Sequence, residues 1–169
     1  TISVLVRATM IISMVFIFLS INMNINILEK GIRIYNKGKY QKAIEILNKV
    51  EKKDRNFEYY FYLGHSYSFL DKNEMSIIYY DSAIQINDKK DIVFFEKGFS
   101  NFIMGNSIEA LKNLNIAIQL NPNNAKYYVN RGTIKYDLGD KESACNDWYN
   151  AIRIDYEIIN YAMIQSNCN

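Results

Sequence analysis

Histidine occurs once in this 169-residue chain, proline once and cysteine twice, and neither sign of charge is in clear surplus. Cys145 and Cys168 are too few to build a disulfide scaffold, and without CxxC spacing they suggest neither a zinc site nor a redox pair. The lone histidine, His65, sits beside Gly64, Ser66 and Tyr67, with no acidic residue at a local spacing that builds a catalytic triad or a metal site. The seven glycines are spread along the chain rather than gathered as GxGxxG or GxxxxGKS/T, which excludes a phosphate-cradling loop. Twenty basic against 18 acidic side chains leave a formal charge of +2, which gives no electrostatic reason to expect a nucleic acid. Together these shortages argue against an enzyme, a cofactor and a metal.

Apolar residues make up 49% of the chain, enough for a sizeable core in one or two domains. The first 22 residues, TISVLVRATMIISMVFIFLSIN, carry Arg7, no acidic residue, and an apolar or small run from Ala8 to Ile21. That run has the length of a signal-peptide hydrophobic region and falls short of the ~20 residues of a spanning helix. Residues 1–22 are therefore expected to be a signal peptide or a membrane anchor, and residues 2–21 the only part that meets a membrane. The remainder is then expected outside the cytoplasm, periplasmic or membrane-anchored. Phe18-Leu19-Ser20 makes a poor cleavage site, so an uncleaved anchor stands beside export, and an apolar helix capping the fold is the third alternative. No cysteine follows the run, which argues against a lipoprotein anchor.

The remaining sequence repeats itself. Gly64, Gly98 and Gly132 are 34 residues apart, in the frames Tyr60-x-x-Leu63-Gly64-x-x-Tyr67, Phe94-x-x-Lys97-Gly98 and Tyr128-x-x-Arg131-Gly132. Ala83, Ala117 and Ala151 keep the same step, within DSAIQIND, NIAIQLNP and YNAIRIDY. Gly31, Gly38 and Ala43 continue the register upstream with one residue fewer in the connection. The units are 24–56, 57–90, 91–124 and 125–158. Lys37-Gly38-Lys39, Asp71-Lys72-Asn73, Gly105-Asn106 and Gly139-Asp140 mark a turn inside each unit. Asn121-Pro122-Asn123 marks one between units.

This frame resembles the tetratricopeptide repeat, whose signature is a bulky residue, Leu-Gly, Tyr, a small residue, an aromatic, Ala and a closing Pro. The second unit carries it on Tyr60, Leu63, Gly64, Tyr67, Ser76, Tyr80 and Ala83. The third carries it on Phe94, Gly98, Ala110, Leu114, Ala117 and Pro122, and the fourth on Gly132, Ala144, Trp148 and Ala151. The fourth unit also resembles exported bacterial members of the family. The resemblance implies an all-α fold, a right-handed α-solenoid of antiparallel helix pairs whose first helices line a concave face. Small residues where the helices cross would let the backbones approach. The tail, 157–169, resembles a capping helix over the last unit. It would bring Cys168 near Cys145, to be disulfide-bonded in an exported chain or left as two free thiols in a reducing compartment.

In this family the groove is lined by the second, fifth, sixth, ninth and twelfth positions of each first helix. Here those positions hold Glu58, Phe61, Tyr62, His65 and Ser68, then Ile92, Phe95, Glu96, Phe99 and Phe102, then Lys126, Val129, Asn130, Thr133 and Tyr136. Phe61, Tyr62, His65, Phe95, Glu96, Phe99, Phe102, Lys126, Asn130 and Tyr136 form the expected partner-binding set. Such a surface suits hydrophobic side chains of a peptide or helix. Lys126 and Asn130 are only a fragment of the basic clamp with which some members hold carboxylate tails. The expected function is a scaffold for a protein or peptide partner. The alternatives are an assembly component of a cell-envelope complex and a piece of a larger repeat-bearing protein.

Overall fold

The structure, a computed structural model, describes the backbone of residues 2–168; the side chains of residues 1–9, 13, 20–25 and 169 lie outside the described ones, and with them much of the expected export or anchor segment. Among the described residues every regular element is helical. The order is α1 Ile2–Tyr35, α2 Tyr40–Leu47, a 3-10 turn Lys52–Asp54, α3 Phe57–Ser68, α4 Asn73–Ile86, α5 Asp91–Ile103, α6 Ser107–Leu120, α7 Ala125–Asp137, α8 Lys141–Ile154 and α9 Tyr161–Cys168.

Each helix packs on the next in the chain, and among the first helices α3 also touches both α1 and α5. A stack in which first helices meet across units places them on one continuous side of the solenoid, which is where a groove can form. The helix pairs turn tightly. The residue at the corner adopts a left-handed backbone in every unit: Gly38 at φ 70°, Asp71 at 57°, Gly105 at 79° and Gly139 at 87°. Three of the four are glycine because a Cβ crowds the following carbonyl there, and aspartate is among the few side chains that tolerate it.

Within each pair the contact that sets the spacing is a glycine against a large side chain 16 residues later. Gly31 faces Leu47, Gly64 faces Tyr80, Gly98 faces Leu114 and Gly132 faces Trp148. A Cβ on Gly64 would lie 2.8 Å from the Tyr80 ring, and one on Gly132 would lie 2.7 Å from Trp148 Nε1 and 3.0 Å from the Ala144 carbonyl. Tyr80 is fully buried and Trp148 is 3% exposed. Ala83, Ala117 and Ala151 are fully buried at the next landmark, and Val50 takes that place in the first unit.

Polar ties repeat as well. Lys97 Nζ lies 2.6 Å from Asp81 Oδ1, and one period later Arg131 Nη1 donates to Asn115 Oδ1 at 2.7 Å. Arg131 also grips Asp147 with two hydrogen bonds, and Lys135 Nζ reaches the same carboxylate at 2.8 Å. Asp147 is 2% exposed, and these two cations make its burial tolerable.

Two features differ from the expected outline. α1 runs unbroken from Ile2 to Tyr35, so no turn separates the apolar run from the first unit. Nothing between residues 2 and 30 stops a helix: no proline or glycine occurs there, and the asparagines at 22, 24 and 26 only weaken it. Among the described residues no helix is long and apolar enough to cross a membrane. The capping helix starts at Tyr161 rather than 157, after a bend at 155–160. Its Ile164, fully buried, packs with Ala144 and Trp148, and Cys168 is disulfide-bonded to Cys145 with Cα atoms 5.7 Å apart.

The glycine contacts rank the units. Gly132→Ala and Gly64→Ala are expected to destabilise by about 1–3 kcal/mol, the usual cost of forcing atoms into a packed contact. Gly98→Ala, whose Cβ would sit 3.2 Å from the Ala110 carbonyl and 3.4 Å from Leu114, is expected to fall near neutral, because alanine's helix preference of about 1 kcal/mol offsets the crowding. Urea titrations of the three variants check the order.

Candidate protein-binding groove

The expected groove residues divide into three groups. Phe95 stacks on Tyr127 with ring centroids 4.9 Å apart and packs against two parts of the core. Phe102 packs against Ala110, Leu114 and Ile134. Phe61 stacks on Phe57 and meets Tyr80. These three are half-buried and largely structural. At the far end, Tyr136 packs against Trp148 and donates its hydroxyl to Asn167 Oδ1 at 2.8 Å, so the cap occupies it. Asn130 donates to the carbonyl of Lys126 in its own helix. Lys126 is exposed and borders a separate open hollow of about 510 Å³ with Asn123, Ile154 and Asp155, outside the central groove.

Tyr62, His65, Glu96 and Phe99 are brought together, along with a residue the sequence did not single out. Tyr35, at the end of α1, lies 2.9 Å by its hydroxyl from His65 Nδ1, and His65 Nε2 lies 3.3 Å from Glu96 Oε2. A carboxylate can only accept, so Nε2 carries a proton, and in the neutral imidazole the Tyr35 hydroxyl donates to Nδ1. Burial, then Tyr40 and the Glu96 charge, push the Tyr35 phenol above its usual range and keep it a donor. This thread crosses α1, α3 and α5 through the twelfth, ninth and sixth groove positions of successive units. Tyr62 meets the Tyr35 ring edge-on at 5.1 Å, and the His65 ring contacts those of Tyr35, Phe61 and Phe69.

Local spacing around His65 showed no acidic partner, because Glu96 comes from the next unit. The signal lay in the period: the ninth position of one first helix faces the sixth of its successor. Phe69, stacked on Tyr40 at 4.4 Å, was missed because it lies just past the end of α3.

A cavity of about 280 Å³ opens beside the thread, walled by His65, Phe69, Asp71, Glu96, Phe99 and Ile103. Phe69 is 52% exposed, Phe99 40% and Ile103 54%. Large apolar side chains grouped around a hollow are what a binding surface offers. Among the described residues no group of three or more His, Cys, Asp or Glu side chains could hold a metal ion.

Phe95→Ala is expected to destabilise the fold by about 2–3 kcal/mol through its lost stacking and core contacts, whereas Phe99→Ala should change stability by no more than about 0.5 kcal/mol. Thermal melts of the two variants separate the structural aromatic from the exposed one.

The stacked helix pairs, with their periodic glycine crossings and a face built from first helices, define a helical-repeat solenoid. Residues 57–90 match the family model described as Tetratricopeptide repeat. That unit is thus a tetratricopeptide repeat, and the two units after it keep its 34-residue step. Solved structures share its architecture. MamA from Desulfovibrio magneticus RS-1, residues 41 to the end, is 16% identical, with 81% of this chain and 78% of that one covered and a TM-score of 0.74. YrrB, described as a TPR protein with an unusual peptide-binding site, is 20% identical over 80% of this chain and 69% of that one, with a TM-score of 0.70. The first TPR of Spaghetti (RPAP3), bound to the HSP90 peptide SRMEEVD, is 17% identical over 68% and 91%, with a TM-score of 0.62. At these identities the likeness is one of fold. No curated protein matches the sequence.

Proposed function

We propose that the chain is a non-enzymatic interaction module that holds a segment of a partner protein against its first-helix face, centred on the cavity between α3 and α5. The observation that carries this reading is the grouping of exposed Phe69, Phe99 and Ile103 around a hollow whose floor, His65 and Glu96, is fixed by the thread to Tyr35. Apolar anchors over a pre-positioned floor lower the ordering cost of binding. Two proteins of the same fold are described with peptides or peptide-binding sites, which supports the same use of the face here.

The test is binding of peptides selected from a random library on the full chain. Phe99→Asp is expected to weaken them at least about tenfold, the loss of a buried anchor plus a desolvated charge. Ile78→Asp, at a site on α4 that is 56% exposed and outside the cavity, should leave affinity unchanged. Equal losses in both variants, or none in either, would refute the groove reading.

We further infer that the protein works outside the cytoplasm, periplasmic or tethered at a membrane. Two observations support this: the bonded pair Cys145–Cys168, since disulfides persist in oxidising compartments, and the described side chains from Met10 to Leu19, which are apolar and exposed. Protein taken from its native compartment is expected to resist thiol alkylation until reduced. Two freely alkylated cysteines in its mass spectrum would contradict the location.

A further inference from the structure

The cavity between α3 and α5 has a chemical bias of its own. Its floor carboxylate, Glu96, has a side chain 14% exposed and, among the described residues, is paired with the His65 imidazole at 3.3 Å, which leaves acceptor capacity on the carboxylate. At the rim stands Asp71, exposed and held at the corner before α4, with no side-chain hydrogen bond or ion pair among the described residues. The aromatic rings of Phe69 and Phe99 flank the opening, and Ile103 adds an aliphatic wall. No lysine or arginine lines the cavity. Lys72, next to Asp71, belongs to the exposed start of α4 and takes no part, and Lys97 is tied to Asp81.

The bias extends beyond the cavity. Among the groove positions the first unit carries Glu29 at the sixth and the second unit Glu58 at the second, both exposed and without an ion pair among the described residues, while the basic Lys126, also at a second position, lies in the fourth unit. This acidic stretch belongs to a chain whose formal charge is +2, so the groove runs against the balance of the whole molecule.

We propose that this cavity receives the cationic end of a lysine or arginine side chain, so that the partner segment is basic with apolar flanks. The inference rests on the groove reading above and names what that groove selects. Glu96 and Asp71 supply the charge, Phe69 and Phe99 offer ring faces to the cation, and Ile103 covers its aliphatic stem. It is the inverse of a clamp built from lysines for a carboxylate tail, since neither lysine nor arginine is among the residues that line this cavity.

The test uses the full chain and a random-peptide phage library, followed by synthetic versions of the selected peptides measured by fluorescence anisotropy. Selected sequences are expected to be enriched in Lys or Arg beside apolar residues. Replacing that basic residue by Gln should weaken binding about tenfold on the native chain and hardly at all on Glu96→Gln, so that the two losses are coupled. Asp71→Asn serves as the second variant, since asparagine accepts the same left-handed corner, and it should lower affinity for basic peptides a few-fold with an unchanged melting curve. Peptides without basic enrichment, or a Gln penalty that persists undiminished on Glu96→Gln, would overturn the cation site, and if Phe99→Asp still abolished their binding the groove itself would stand. Binding untouched by Phe99→Asp, or no selected peptide at all, would remove both.

Discussion

The rest of this structure depends on how closely two helices approach within a repeat, and that distance is set where a glycine of the first helix meets a large side chain of the second. Gly64 against Tyr80 and Gly132 against Trp148 leave no room for even one added carbon. Close approach buries the large side chain wholly, which supplies the hydrophobic stabilisation of a unit too small to have a core of its own. The same contact fixes the orientation of the first helix. Because the units repeat it at a nearly constant step, the first helix α3 meets α1 on one side and α5 on the other, and the three present one face.

That face is stiffened by polar chemistry that joins three successive first helices. Tyr35, His65 and Glu96 join α1 to α3 to α5, each satisfying the next. A partly buried polar thread specifies the relative placement of the helices more narrowly than apolar packing would. Its consequence is a floor that does not need to be ordered when something binds. The cap does for the far end what a further unit would do: Ile164 fills against Trp148, and the Cys145–Cys168 bond holds α9 in place. It also takes Tyr136 out of the groove, which moves the accessible region toward the middle units.

The period was legible in the sequence because a steric requirement for no side chain, or only a methyl, is indifferent to the surroundings. Gly98, Ala110 and Ala117 announce their roles by their size alone. The turn corners were legible for a similar reason, since a left-handed residue narrows the choice to glycine and a few polar types, as at Gly105 and Asp71. The groove was legible as a set of positions and not as a surface. Phe95 and Phe99 look alike in sequence, but Tyr127 from the next unit arrives over Phe95 and nothing covers Phe99 to the same degree. Tyr35 escaped notice because the first unit carries a weaker signature and is one residue shorter, and the unbroken length of α1 because the sequence of the apolar run holds no mark of where it passes into the repeat.

The central claim is that the glycine and the bulky residue opposite it form one coupled device. The third unit shows a looser version, with Leu114 3.4 Å from where a Cβ on Gly98 would lie, whereas Leu47 of the first unit stands 2.5 Å from one on Gly31, so placement of the side chain counts as well as its size. Measuring the stability of Gly64→Ala, Tyr80→Leu and the double variant tests the coupling most directly. The account predicts that the alanine costs at least about 1 kcal/mol less once the ring is replaced by leucine. An equal cost in both backgrounds would mean that the glycine answers to something other than the ring it faces.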